Sequence, residues 1–289
     1  MSQCISPMRM TVPTSKNYFV DVPCGKCLYC LNTRRNEWSF RIYQELKNAR
    51  SAWFITLTYD DNNIPLSDHY VQTLVKKDLQ DWIKKVTMRH NRHEQKMLRN
   101  PKSCPVRYYA VGEYGTRTER PHYHAIIFNI DKAIIAKCLD SWKHGFFQMG
   151  DVNSASIRYT TKYVINKKAE DQGHISKELR EPGFALMSSR PPIGFQYNQA
   201  MEYHRQTWNL TVKNENGVMQ PLPRIYRNKF FSQDELEYLK DELIEMSDEK
   251  AIERYNNLID RDQEPSLYED QIHQVKVSQF NKRNRKNTF

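Results

Sequence analysis

The chain has 289 residues, of which 39% are hydrophobic and 27% charged, so it can form an ordinary core and is not a disordered chain. No apolar run is long enough to cross a bilayer, and the first 16 residues lack the apolar segment of a signal peptide. We therefore expect a cytoplasmic protein, in which the six cysteines are thiols or metal ligands rather than disulfides.

The formal net charge of +10 is unevenly distributed along the chain. Residues 232–271 carry 14 acidic and 4 basic side chains, a net charge of −10, so the rest of the chain carries a net charge of +20. A strongly basic body attracts nucleic acid by neutralising phosphates and releasing counterions. A basic surface that serves only solubility is the alternative, so charge alone favours nucleic acid modestly.

Hydrophobic periodicity predicts alternating helices and strands after a short head that carries cysteines. In chain order, the predicted elements are a helix over 31–47, a strand over 53–59, a helix over 75–89, strands over 106–114 and 122–130, a helix over 131–142, a strand over 146–152, and helices over 154–168 and 234–258. The polar residues between the second and third strands predict a hairpin.

This order of elements predicts an α+β fold with a central antiparallel sheet, and we expect its flanking helices on one side of the sheet. We expect a Cys-rich head over 1–30, a central domain over 31–230, and an acidic helical accessory region over 231–289. The last of these ends in a basic tail, which contains Lys276, Lys282, Arg283, Arg285 and Lys286.

Two histidines alternate along the third predicted strand, in the sequence Pro-His-Tyr-His. Because side chains alternate across a strand, His122 and His124 project from one face and Tyr123 from the other. Two imidazoles at this spacing can ligate one divalent ion. For this motif alone, two histidines on a half-exposed strand without a metal are an equally good interpretation.

A carboxylate on the facing strand can complete such a metal site. Glu113 shares the histidine face if it pairs with either histidine, whereas a slip of one residue moves it to the opposite face. Glu119 and Asp60 are the alternative carboxylate ligands. Two imidazoles, one carboxylate and open coordination positions suit Mg²⁺ or Mn²⁺ acting as a Lewis acid.

A pair of tyrosines lies four residues apart on a predicted helix. Tyr159 and Tyr163 therefore share one helix face, with Lys162, Asn166 and Lys167 near that side. A phenol is a weak nucleophile at neutral pH and needs a neighbouring metal or cation, and Lys162 can stabilise the developing charge. For the pair by itself, two tyrosines that only pack are the commoner interpretation.

The cysteine head contains a C-x₂-C-x₂-C run, formed by Cys24, Cys27 and Cys30, and Cys4 is available as a fourth thiolate. Four thiolates form a closed tetrahedral Zn²⁺ site, so we expect structural zinc. An iron–sulfur cluster also uses cysteine runs of this kind, and reduced thiols without a metal are the remaining alternative.

Three motifs follow one another along the chain in the order of a known family. They are FITLTY at 54–59, PHYH at 121–124 and YTTKY at 159–163. This ordered set resembles the HUH endonucleases, and most of all the replication initiators of gokushovirus-type microviruses. Further stretches similar to that subgroup lie at 24–30, 187–194 and 222–226, so the resemblance spans roughly residues 4–230.

The resemblance implies a ferredoxin- or RRM-like sheet that displays the histidine pair, with the tyrosine helix packed beside it. His122 and His124 would hold the metal that polarises a scissile phosphate. Tyr159 and Tyr163 match the nucleophiles, whose attack leaves a 5′-phosphotyrosine link and a free 3′-OH that primes rolling-circle synthesis. Members with two tyrosines alternate them between rounds.

The two tyrosines of this chain are not equivalent. Lys162 follows Tyr159 by three residues, whereas Asn166 stands at that spacing after Tyr163 and Lys167 comes one residue later. This difference favours Tyr159 as the initiating nucleophile.

The resemblance also implies partners and a location. We expect single-stranded or locally melted origin DNA as the substrate, a host helicase and polymerase as further partners, no membrane, and action in the cytoplasm of a bacterial host. A plasmid initiator, a relaxase or a transposase of the same chemistry is the alternative function within this class. A zinc-containing nucleic-acid-binding protein without catalysis is the alternative outside it.

Overall fold

The computed structural model describes residues 4, 7–11, 19–115, 117–166, 179–261, 264, 266, 267, 271, 274, 275 and 278. The elements are β1 (Met8–Thr11), β2 (Phe19–Val22), α1 (Leu28–Asn48), β3 (Ala52–Tyr59), α2 (Lys76–Lys96), β4 (Arg107–Tyr114), β5 (Pro121–Phe128), α3 (Lys132–Leu139), β6 (Gly145–Asp151), α4 (Ser154–Asn166), β7 (Phe184–Met187), a 3₁₀ helix (Phe195–Ala200), α5 (Met201–Thr207), β8 (Thr211–Lys213), β9 (Met219–Pro221), α6 (Arg224–Phe230) and α7 (Gln233–Ile259). Within these residues, no helix combines the length and apolarity that a bilayer crossing requires.

The chain divides into two compact units. The first contains Leu31–Gln199 and Thr211–Pro221, and the second contains Ser2–Cys30, Ala200–Leu210 and Leu222–Phe289. The domain boundaries expected from the sequence stay a prediction.

The first unit is built on a five-stranded sheet with the strand order β6-β3-β5-β4-β7. Every neighbouring pair in it is antiparallel. The predicted hairpin is present, since the turn between β4 and β5 closes with the Gly115 amide donating to the Arg120 carbonyl at 3.0 Å. The α+β class and the antiparallel sheet are therefore confirmed.

The sheet carries apolar residues on both faces. On one face, Ile55, Leu57 and Tyr123 pack with Trp82 of α2 and Ile135 of α3. The prediction that the helices lie on one side of the sheet is wrong, because the opposite face is also covered.

That opposite face holds a second buried cluster. It contains Ile42 of α1, Tyr109 and Val111 of β4, Ile126 of β5 and Ile157 of α4. Alternate residues of each central strand thus enter different clusters, which explains why β4 and β5 are apolar along nearly their whole length.

Helix α2 is longer than its apolar pattern predicts. It continues to Lys96 because two polar residues extend its buried face. The His90 Nε2 atom lies 3.0 Å from the Cys104 carbonyl oxygen, and Arg99 donates to the Glu94 carboxylate at 2.8 Å. A buried polar residue is stable only with such partners, and the apolar period does not detect it.

In the second unit, a capping box begins α7. The Ser232 side chain accepts from the Glu235 amide at 3.2 Å, and the Glu235 carboxylate accepts from the Ser232 amide at 2.6 Å. Arg205 of α5 donates to the Phe230 carbonyl at 2.9 Å and to Glu235 at 3.0 Å. The acidic helix predicted over 234–258 is therefore present, and a reciprocal cap fixes its start.

A buried ion pair joins α1 to the sheet. Arg107 is 4% exposed and Glu45 is 1% exposed, and their side chains form two hydrogen bonds. Glu45 also accepts from the Gly194 amide at 2.8 Å. The carboxylate is thus satisfied only as long as its cationic partner is present.

We expect Arg107→Met to lower the free energy of unfolding by about 3–5 kcal/mol, because it leaves a buried carboxylate without its charged partner. Urea unfolding measures this loss. The control is Lys77→Met, which removes an exposed partner of Asp81 and should change stability little. Equal losses in the two variants would contradict this account of the pair.

Candidate active site

The register of the β4–β5 hairpin brings a carboxylate onto the histidine face. Glu113 pairs with His122, so its side chain lies on the same face as both histidines. Its Oε1 atom lies 2.7 Å from the His122 Nε2 atom and 2.8 Å from the His124 Nε2 atom. The three residues form a group whose ligand atoms all lie within 4.8 Å of one another.

The second ring nitrogen of each histidine is held by the scaffold. The His122 Nδ1 atom lies 2.9 Å from the Arg120 carbonyl oxygen, to which it must donate. The His124 Nδ1 atom lies 3.0 Å from the Thr56 hydroxyl. When His122 is neutral, its Nε2 atom therefore turns a lone pair toward Glu113, and such an arrangement needs a cation, either a proton or a metal.

Glu113 has a further acceptor to offer. It is 3% exposed, and its Oε2 atom is buried with no hydrogen-bond partner among the described residues. A buried carboxylate oxygen without a partner is costly. The donor set of two imidazoles and one carboxylate is thus compatible with a bound metal ion, which would satisfy this oxygen.

Burial and the Glu113 charge act against each other in the pKa values of this group. Burial disfavours the charged form of His122, but the hydrogen bond from Glu113 outweighs it and raises the pKa of His122. Burial dominates at His124 and lowers its pKa. For Glu113, burial opposes ionisation, and the hydrogen bonds from the two histidines nevertheless lower its pKa.

A phenol from α4 completes the site. The Tyr159 hydroxyl donates to the Glu113 Oε1 atom at 3.2 Å, and its ring meets the His124 ring edge-on with centroids 4.9 Å apart. Phe54 stacks on the other side of His124 at 5.5 Å with an angle of 5° between the rings. Burial, followed by the neighbouring Glu113 charge, raises the pKa of Tyr159, so ionisation of the phenol requires a cation nearby.

Packing places α4 independently of any ligand. Ile157 is buried in the cluster beneath the helix, and the Thr161 hydroxyl lies 2.9 Å from the Ser39 hydroxyl of α1. Lys162 is half-buried, and burial lowers its pKa while the Glu113 charge opposes that shift. Tyr163 follows on the same helix, but its side chain lies outside the described residues, as does Lys167.

The two alternative carboxylates have other partners. Glu119 accepts from Arg180 at 3.0 Å, and Asp60 caps its own turn by accepting from the Asn62 and Asn63 amides, each at 3.0 Å. Neither belongs to the group formed by Glu113 and the histidines.

The four cysteines of the head also come together. The Sγ atoms of Cys27 and Cys30 are 3.5 Å apart, those of Cys4 and Cys27 are 3.8 Å apart, and those of Cys24 and Cys30 are 4.0 Å apart. Four sulfurs at Zn–S bonds of about 2.3 Å in a tetrahedron stand about 3.8 Å from one another. These distances exceed a disulfide bond and are compatible with one shared metal ion.

A third acidic group is already neutralised. His93, Glu94 and Asp131 lie close enough to hold an ion, but Arg50 and Arg99 both form ion pairs with Glu94. The cationic partners of this group are thus side chains of the protein.

Three phage proteins and one family model are similar to this chain. The family model of the replication-associated protein ORF2 matches residues 52–169. Replication-associated protein VP4 of Bdellovibrio phage phiMH2K is 30% identical over 224 residues, which cover 71% of this chain and 66% of that protein.

The chain belongs to this family of replication-associated proteins.

Two further relatives extend the family. Replication-associated protein ORF2 of Spiroplasma virus 4 is 30% identical over 171 residues, covering 53% of this chain and 51% of that protein. Replication-associated protein ORF4 of Chlamydia phage 1 is 23% identical over 175 residues, covering 53% of this chain and 40% of that protein. The chain thus spans about two thirds to two fifths of its relatives' lengths. No solved structure matches it.

The replication-associated family region extends from β3 into α4 and the residues after it, and it contains Glu113, both histidines and Tyr159. Sequence reasoning gave no role to two residues of the site, Thr56 and Phe54. Their signal is register: Thr56 pairs with His124 on the neighbouring strand, and Phe54 lies two residues earlier on the same face. Strand pairing of this kind is not visible in a single sequence.

In the metal-free protein, we expect NMR titration to find the pKa of His122 above, and that of His124 below, the ordinary histidine value of about 6.5. Because the folded-state pKa of His122 is raised, its protonation stabilises the fold at low pH, and this stability is lost as the pH rises through that pKa. Glu113→Gln should lower the pKa of His122. A His122 pKa that ignores this substitution would contradict the described contact.

Proposed function

We propose that this replication-associated protein starts rolling-circle replication by nicking one DNA strand at an origin, with Tyr159 as the nucleophile. One observation carries the proposal: the Tyr159 phenol lies 3.2 Å from Glu113, the carboxylate that also contacts His122 and His124. A nucleophile, a candidate metal site and a shared carboxylate thus converge from three elements. The names of the phage relatives support a role in replication.

The proposed step is a transfer of a phosphoryl group. The Tyr159 oxygen attacks the scissile phosphorus, the bond from phosphorus to the 3′-oxygen breaks, and that oxygen takes up a proton. The products are a 5′-phosphotyrosine link and a 3′-OH that primes synthesis. The reverse reaction rejoins the strand, so the protein acts as both endonuclease and ligase.

The chain's own groups would prepare this step. Glu113 accepts the phenol hydrogen and so orients the Tyr159 oxygen, while His124 and Phe54 hold its ring. Lys162, one turn along the helix face, supplies positive charge for the developing phenolate. A Mg²⁺ or Mn²⁺ ion held by Glu113, His122 and His124 would supply Lewis acidity at the scissile phosphate.

Tyr163 is the proposed second nucleophile, which would cut the regenerated origin after one round of synthesis. The proposal rests on its position four residues after Tyr159 on α4. Lys162 precedes it, so the cation that serves the first tyrosine is placed differently for the second.

The proposed substrate is single-stranded or melted origin DNA in the cytoplasm of an infected bacterium, because a phenol can reach only an exposed backbone. The net charge of +20 outside residues 232–271 favours a polyanion. The acidic helix α7 would recruit a host helicase or polymerase, which its opposite charge motivates. Loss of unwinding without loss of nicking, when α7 is deleted, would support that partner.

The proposed ion of the cysteine cluster is structural Zn²⁺, held by Cys4, Cys24, Cys27 and Cys30. The sulfur spacing supports it, and so do backbone amides that donate to sulfur. The Cys24 amide donates to Cys4 at 3.2 Å, and the Cys27 amide donates to Cys24 at 3.2 Å. Such bonds stabilise thiolates in preference to thiols.

We expect the purified protein with Mn²⁺ to nick single-stranded origin DNA and to leave a labelled fragment that migrates with the protein under denaturing electrophoresis until it is proteolysed. Tyr159→Phe should abolish this adduct and retain DNA binding, and Tyr163→Phe should spare the first cut. Tyr203→Phe, an exposed tyrosine of α5, is the control.

EDTA separates this proposal from its alternative. An enzyme of this kind loses nicking in EDTA and regains it with Mg²⁺ or Mn²⁺, and Glu113→Gln should weaken that recovery. A protein that binds DNA but cuts no origin with either metal would instead be a non-catalytic zinc-containing nucleic-acid-binding protein.

For the cysteine cluster, we expect elemental analysis to find about one zinc ion per chain. Cys27→Ser should lose that zinc, whereas Cys104→Ser, outside the cluster, should retain it. Iron with sulfide would indicate a cluster instead, and a protein without either metal would indicate reduced thiols.

A further inference from the structure

An exposed aromatic ring lies on the edge strand of the sheet. Phe146 of β6 is 65% exposed, although large apolar side chains on an edge strand promote unwanted pairing with other chains. Within the described residues, Phe146 belongs to neither buried cluster of the sheet. Its exposure therefore serves no packing role that the fold explains.

Strand register places Phe146 in line with the candidate active site. Phe146 pairs with Thr58, Thr58 pairs with His122, and His122 pairs with Glu113. Side chains that are paired across neighbouring strands share one face. Neighbouring strands lie about 4.8 Å apart, so Phe146 and His122 are separated by about 10 Å on that face.

The rest of β6 keeps this face open. Gln148, the next residue on the same face, is exposed, and Gly150 follows with no side chain. A Cβ atom built on Gly150 would meet nothing within 4 Å, so packing does not explain this glycine. The face thus presents one flat ring, one amide and then open space.

The start of β6 is held rigidly. Gly145 has φ +144°, and a Cβ atom there would lie 2.3 Å from the Asp60 amide nitrogen. The Asp60 amide donates to the His144 carbonyl at 2.9 Å. The ring of Phe146 is therefore attached to a fixed backbone immediately beside the end of β3.

We propose that Phe146 is a base-stacking residue: its ring receives an unpaired nucleobase of the single-stranded DNA, close to the phosphate that enters the candidate active site, and Gln148 lies where it can contact the edge of that base. This inference rests on the proposed function for the identity of the strand. Every base has a π face, so stacking favours single-stranded DNA without reading its sequence.

The test measures binding, so it does not depend on nicking. The probes are fluorescein-labelled (dT)₂₀ and a 20-residue oligomer of the same backbone whose sugars carry no bases, each titrated in EDTA by fluorescence anisotropy. We expect Phe146→Ala to weaken (dT)₂₀ binding about tenfold, a value within the range for loss of one stacked base. Binding of the abasic oligomer should not change. The slope of log affinity against log salt should also stay the same, because no phosphate contact is lost.

Phe147 provides the matched control. It is the next residue of β6, is also exposed at 45%, and pairs with Leu57 on the opposite face. Phe147→Ala should leave (dT)₂₀ binding within twofold of the unmodified protein, and Phe146→Trp should retain it. Equal effects of the two alanine variants on (dT)₂₀, or an equal loss for the abasic oligomer, would overturn the proposal.

A change in self-association is the remaining outcome. If Phe146→Ala alters the oligomeric state in sedimentation and leaves (dT)₂₀ affinity unchanged, β6 pairs with a second copy and the proposal falls. Failure of nicking in the unmodified protein, with base-dependent binding through Phe146, would overturn the proposed function and leave this inference standing.

Discussion

The candidate active site depends on the register with which β4 pairs with β5. Glu113 reaches both histidines because it pairs with His122, and a slip of one residue would turn its carboxylate to the opposite face. Apolar residues on both faces oppose such a slip, because every buried side chain of the hairpin would change sides. The turn adds to this constraint by joining Gly115 to Arg120.

The second constraint is the helix layer on the histidine face. Helix α4 packs through Ile157, and Thr161 contacts Ser39 of α1, so the Tyr159 phenol reaches Glu113 through packing alone. The nucleophile and the candidate metal ligands are thus held by separate parts of the fold. Preorganised geometry of this kind reduces the reorganisation that a reacting phosphate requires.

Local patterns in the sequence predicted what depends on neighbouring residues. The shared face of His122 and His124 follows from strand alternation, and the position of Glu113 required only one unknown, the register. The contacts of Tyr159 and Thr56 with the site depend on packing between distant segments, which no local period reveals. Covering both faces of the sheet required knowing where α1 and α4 pack, since an amphipathic helix does not indicate which face it covers. Strand β7 has only four residues, too few for a period.

The most direct test of the central claim is to identify the residue that carries DNA after cleavage. The protein is incubated with Mn²⁺ and single-stranded origin DNA, digested with protease and nuclease, and its peptides are sequenced by mass spectrometry. The account predicts a nucleotide attached through phosphate to the phenol of Tyr159. An adduct on a residue outside α4, or cleaved DNA with no adduct on the protein, would contradict it.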